Sequence, residues 1–186
     1  TDKLTGIYNR SGFDKALKKY LKHNPDKNCI VAELDIDDFK FINDMYGHEA
    51  GDEALRSLAS YMKKYFPNDA VIGRNGGDEF VVLFPDQTDE SAHDKLNEFT
   101  KLHKSFSHKT EQHSFTISLG YAEYPKQAGT REELLRHADA ALYEVKLRGK
   151  NGCMLYENGL NEIRTQLGFA LKDVSAHLPG AFLIYK

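Results

Sequence analysis

The chain has 186 residues, 40% of them hydrophobic and 28% charged, enough to bury the core of one ordinary domain with length to spare. A formal net charge of −3 and a pI near 6.2 leave no basic excess for gripping a nucleic-acid polymer, while a single nucleotide stays open as a partner. No run approaches the roughly 18 to 20 apolar residues of a membrane helix. The two distant cysteines, Cys29 and Cys153, have no metal-ligand spacing and read as buried thiols in a reducing cytoplasm, a membrane-anchored parent protein staying open.

In chain order, Phe13, Ala16, Leu17, Tyr20 and Leu21 recur at helical spacing before Asn24-Pro25, which predicts an amphipathic helix and its stop. Cys29–Ile36 reads as a buried strand ending in acids. A short helix is predicted over Phe39–Tyr46, closed by Gly47, and Leu55, Leu58, Ala59, Met62 and Phe66 mark a longer one ending at Pro67. A hairpin follows, with arms at 70–74 and 79–84. Its tip is at Gly76-Gly77, where paired glycines supply the positive φ of a tight turn. A helix over 90–105, a strand over 115–121, a helix over Arg131–Leu147 and a short strand near 153–156 complete the order α-β-α-α-β-β-α-β-α-β. The hairpin in mid-chain excludes an all-parallel doubly wound sheet and predicts an α+β domain, a mainly antiparallel central sheet flanked by helices.

After Tyr156 the pattern changes. Leu160, Ile163, Leu167, Leu171, Val174 and Leu178 step by three or four, a coiled-coil-like seam that Pro179-Gly180 ends. The expected organisation is therefore one domain over 1–156, then over 157–186 a linker helix and the start of a truncated following domain. That last stretch weakly resembles the opening of a PAS-type sensor.

Asp35 and Asp37 close an otherwise apolar strand, and a period of two puts both carboxylates on one face. Charges there need a partner. A divalent cation is one candidate, since magnesium favours one or two carboxylates together with substrate phosphates. Capping of the helix at Phe39 is the competing job for Asp37 or Asp38, and the expected one for Asp37, whereas Asp35 lies too far back to cap. The hairpin supplies the second half, because Gly76-Gly77 lets the backbone approach a bulky ligand and Asp78-Glu79 set acids just beyond the turn.

Gly76-Gly77-Asp78-Glu79-Phe80 also spells the signature of the GGDEF family, and further family phrases stand in order around it. The chain opens with Asp2-Lys3-Leu4-Thr5-Gly6-Ile7-Tyr8-Asn9-Arg10 and continues with Leu34-Asp35-Ile36-Asp37-Asp38-Phe39-Lys40 leading to Asn43-Asp44. Gly47-His48, Gly51-Asp52 and Thr116-Ile117-Ser118-Leu119-Gly120 follow, then Ala138-Asp139-Ala140-Ala141-Leu142-Tyr143 with Lys146 and Gly149-Lys150-Asn151. On these phrases the chain resembles the diguanylate cyclase catalytic domain over Thr1 to about Tyr156.

The resemblance implies a nucleotide-cyclase or palm-like fold that condenses two GTP into cyclic di-GMP and two pyrophosphates at a homodimer interface. It implies magnesium, with manganese as a substitute, on Asp35, the carbonyl of Ile36 and Asp78. Guanine would be read by Asn43 and Asp52, which suits a base whose N1 and N2 donors a carboxylate can accept. The triphosphate would lie on the backbone of Asp38, Phe39 and Lys40 and on the side chains of Lys146 and Lys150. Lys40 would stabilise the transition state, and Asp78 or Glu79 would take the hydroxyl proton. The other implied partners are sensory domains elsewhere in the parent chain. His48 is expected to fix a loop, and Thr116 and Ser118 to satisfy hydrogen bonds within the sheet. The inhibitory Arg-x-x-Asp pair of many relatives is replaced by Pro67 and Ala70. A catalytically silent GTP-binding regulatory module is the alternative.

Overall fold

The chain falls into two units, Thr1–Tyr156 and Glu157–Lys186, and the computed structural model describes residues 1–158. The seam from Leu160 to Leu178 and the strand expected at 181–185 lie outside the described residues. The elements run β1 (Tyr8–Asn9), α1 (Arg10–His23), β2 (Cys29–Ile36), α2 (Phe39–Tyr46), α3 (His48–Tyr65), β3 (Val71–Gly76) and β4 (Glu79–Pro85). They continue with α4 (Asp89–Lys101), β5 (Lys104–His108), β6 (Glu111–Phe115), β7 (Ile117–Tyr124), α5 (Arg131–Leu147) and β8 (Cys153–Leu155).

Six strands form one sheet in the order β1-β3-β4-β2-β7-β8, antiparallel through its centre and parallel at both edges. β2 is central because its sequence is apolar on both faces. Ile30, Ala32, Leu34 and Ile36 join one core cluster with Leu55, Leu58 and Met62 of α3 and with Leu96 and Phe99 of α4. The alternate residues, among them Glu33 and Asp35, lie on the other face, the one α5 covers. There α5 rests so closely on β7 that a Cβ at Gly120 would collide with the backbone of Ala138 and Leu142, so only glycine fits. The antiparallel α+β architecture read from the sequence is the one observed. Among the described residues no helix is long and apolar enough to cross a membrane.

Two boundaries differ from expectation for a physical reason. The helix predicted over 90–105 stops at Lys101, and a separate hairpin, β5–β6, occupies 104–115. Lys104 makes the break. Its buried ammonium donates to the carbonyls of Leu102 at 2.9 Å and Thr100 at 3.3 Å, and also to that of Phe99, closing the C-terminus of α4. Burial lowers its pKa to about 8, against the pull of Asp37. The strand predicted over 115–121 correspondingly begins at Ile117 and runs to Tyr124, while the two-residue β1 has no periodic signal to read.

Candidate active site

The register of the sheet sets Asp35 of β2 directly across from Glu79 of β4 and Ser118 of β7. The acids at the strand end thus meet the acids beside the hairpin turn, and Ile36 follows at the end of β2, paired with Ile117. Asp35 is only 6% exposed. Its Oδ2 is ion-paired with Lys146 of α5, and its Oδ1 is buried with no hydrogen-bond partner. Burial pushes the Asp35 carboxyl up to about 6; Lys146 pulls it back, and Asp78 and Glu79 push it further up. An orphaned carboxylate oxygen beside further acids fits a hard cation. Among the described residues no three His, Cys, Asp or Glu side chains gather into a metal-binding group. Two carboxylates and a carbonyl would leave the rest of a magnesium shell to water and phosphate oxygens, the usual way that ion is held.

The turn from β2 into α2 is built by Asp37 and Asp38, and neither caps through its side chain. Asp37, expected as the cap, accepts instead from Thr116 Oγ1 and Ser118 Oγ, both at 2.6 Å, and from the Asn151 N–H at 3.0 Å. The capping expectation is corrected on this point: three donors converge on a buried carboxylate and hold it against β7. Asp38 takes the N-cap position in the left-handed region, φ 54°, without a side-chain cap bond. Its carbonyl accepts from Phe41 N at 2.8 Å and its side chain pairs with Lys150. The N–H groups of Phe39 and Lys40 fall in the first turn of α2, where no intrahelical acceptor exists, an arrangement suited to an anion. Lys40 itself is exposed.

Asn43 leans on α3 at a place that a Cβ on Gly51 would fill, so the glycine before Asp52 is what admits it. Asp52 faces a cavity of about 340 Å³ whose walls include Arg56 of α3 and His108 and Lys109 of the β5–β6 turn. Asn43 does not line that cavity. The two residues expected to read guanine are therefore close in the fold without sharing this cavity, and the basic hairpin tip beside Asp52 was not foreseen from the sequence.

The signature turn is open. Gly76 at φ 134° and Gly77 at φ 53° have nothing near the position of a Cβ, so backbone conformation alone demands glycine at Gly76 and favours it at Gly77. Arg74 fastens the turn, donating from Nε and Nη2 to the Gly77 carbonyl at 2.9 and 2.7 Å and from Nη1 to Asp2. Sequence reasoning missed this role for Arg74; the Asp2 that opens the chain was its only hint. Asp78 is half-buried and Glu79 exposed. Glu79 also edges a cavity of about 890 Å³ between α1 and α5 that holds Arg10, Arg136 and Glu33, whose carboxyl burial pushes up to about 8.

The model of the family described as diguanylate cyclase, GGDEF domain, matches residues 1–152. The chain is 35% identical over 158 residues to the probable diguanylate cyclase DgcC of Escherichia coli, covering 81% of this chain and 41% of that protein. It is 31% identical over 164 residues to the cyclic di-GMP phosphodiesterase PdeR of the same species, covering 87% of this chain and 25% of the relative. The chain thus spans less than half the length of these curated relatives. Among solved structures it is similar to the GGDEF domain of DgcB from Caulobacter crescentus, in complex with c-di-GMP. The TM-score is 0.75 at 31% identity, over 85% of this chain and 93% of that one.

Proposed function

The chain belongs to the GGDEF family, and from that membership we propose that it is a diguanylate cyclase, condensing two GTP into cyclic di-GMP with release of two pyrophosphates. The observation that carries this is Asp35, buried with one orphaned oxygen and faced by the acids of an intact signature turn. Magnesium, held by Asp35, the Ile36 carbonyl and Asp78, would supply charge neutralisation at the phosphates.

The chain's own residues do the rest. The amides of Phe39 and Lys40 and the ammonium groups of Lys146 and Lys150 hold the triphosphate, while Asn43 and Asp52 orient the guanine. Lys40 stabilises charge that develops on the phosphate oxygens during in-line displacement. Asp78 or Glu79 accepts the proton of the attacking 3'-hydroxyl. One domain holds one GTP, so two copies must bring their sites face to face about a two-fold axis. The setting is the cytoplasm, with sensory domains of the parent chain governing how often two copies meet.

A catalytically silent GTP-binding module is the second reading, and the match to PdeR, named for phosphodiesterase activity, favours it. One incubation separates the two: the domain at high concentration with GTP and magnesium, followed by mass analysis. Cyclic di-GMP is expected, and GTP binding without it would establish the silent module.

A further inference from the structure

The end of α5 reaches the β2–α2 turn through two lysines of different consequence. Lys146 is ion-paired with Asp35 Oδ2, and Lys150, itself within a left-handed turn at 149–151, lies 2.5 Å from Asp38 Oδ1. Asp35 is the residue assigned to the cation; Asp38 is not a ligand. The Asp35 carboxylate is thus divided, with an ammonium on one oxygen and nothing on the other. An ammonium donating to a carboxylate takes up much of the attraction that a metal ion would use. Two cations crowded on one buried carboxylate repel each other, and low exposure leaves that repulsion poorly screened. The Lys146 side chain is 38% exposed against 8% for Asp35, so the lysine can leave its partner without disturbing the core.

On the GTP reading above, the triphosphate offers Lys146 a second acceptor as the metal arrives. We propose that Lys146 guards the cation position of Asp35 in the nucleotide-free domain, so that divalent metal alone is held off and enters together with the triphosphate, onto which Lys146 then moves. Lys146 is on this account a positioning residue that orders the binding of metal and nucleotide. It also keeps the site from filling with metal that lacks a substrate.

The test reads metal binding and needs no turnover. Manganese(II) alone is titrated into the folded domain, free ion being followed by electron paramagnetic resonance, for the unaltered protein, Lys146→Met and Lys150→Met. Lys146→Met is expected to bind manganese about fivefold or more tighter than the unaltered domain, since one competing charge is gone. Lys150→Met should stay close to the unaltered value. A gain below fivefold in Lys146→Met, or an equal gain in Lys150→Met, overturns the proposal, the second because it would reveal only a change in overall charge. Should Lys146→Met fail to fold, Lys146→Gln is read by the same criteria. Binding of a non-hydrolysable GTP analogue is measured on the unaltered domain: its absence there would refute the nucleotide reading, whereas a metal comparison that fails while the unaltered domain binds the analogue refutes only the guarding role.

Discussion

Asp35 would, on the proposed reading, serve two states of the site. Burial raises its pKa from the ordinary 3.8 to about 6, with Lys146 opposing the rise. The folded chain holds the Asp35 proton more tightly than the unfolded chain does, so this group's contribution to stability is fully present below about 4 and is lost as pH rises through about 6. The proposed cation binding would run the opposite way because it needs the carboxylate. Affinity for manganese with a GTP analogue should therefore be level above pH 7 and fall by about tenfold per unit below 6, as a single proton competes with the metal. A calorimetric titration from pH 5 to 8 checks this; a flat profile would separate Asp35 from the cation. Asp78 differs in being only half-buried, directly after the open Gly76-Gly77 turn. Asp78→Ala should lower product formation by roughly a hundredfold or more while leaving the melting temperature nearly unchanged. Near-normal turnover in the folded variant would remove Asp78 from the chemistry.

At the scale of elements, the site depends on how the turn after β2 is tied to the far end of the sheet. Asp37 makes that tie through Thr116, Ser118 and Asn151, beside the Asp38–Lys150 pair. Asp37→Ala would leave the buried Ser118 hydroxyl without its acceptor, Thr116 and Asn151 being exposed, and should cost about 1 to 3 kcal/mol, read as a lowered denaturant midpoint with an unchanged slope. Asp37→Asn, which keeps one acceptor oxygen, should lose less. What was legible in the sequence follows the same division. β2, the signature hairpin and α5 could be read because apolar periodicity and paired glycines are local signals. The β5–β6 hairpin could not, since Phe106 and Phe115 are its only large apolar residues among Ser, His, Lys and Gln, and the helical phase of Leu96 and Phe99 continues into Leu102. In the site, the two pairs of acids were visible as pairs. The bonds from Asp37 to Asn151 and from Arg74 to Asp2 were not, because they join residues 114 and 72 positions apart and leave no trace in spacing.

At the scale of the whole molecule, the proposed reaction requires two domains, and this gives a test that needs no structure of the pair. Closing the cyclic product takes two phosphodiester bonds, each made at the α-phosphate held by a different copy. A pair with one competent site can make the first bond and must stop at the linear dinucleotide. If Asp78→Ala leaves folding and pairing intact, mixing it with the unaltered domain at fixed total concentration distributes copies at random between pairs. In an equal mixture about one quarter of pairs have two competent sites, so the cyclic product should fall to about a quarter of its unmixed rate rather than to a half. Half of the pairs are then mixed and should build up linear dinucleotide, visible by mass. The comparison is made well above the concentration at which copies pair, so that dilution of the competent domain does not imitate the effect. Cyclic product at one half of the unmixed rate, with no linear species, would mean that a single domain completes both bonds, and the two-fold arrangement would have to be given up.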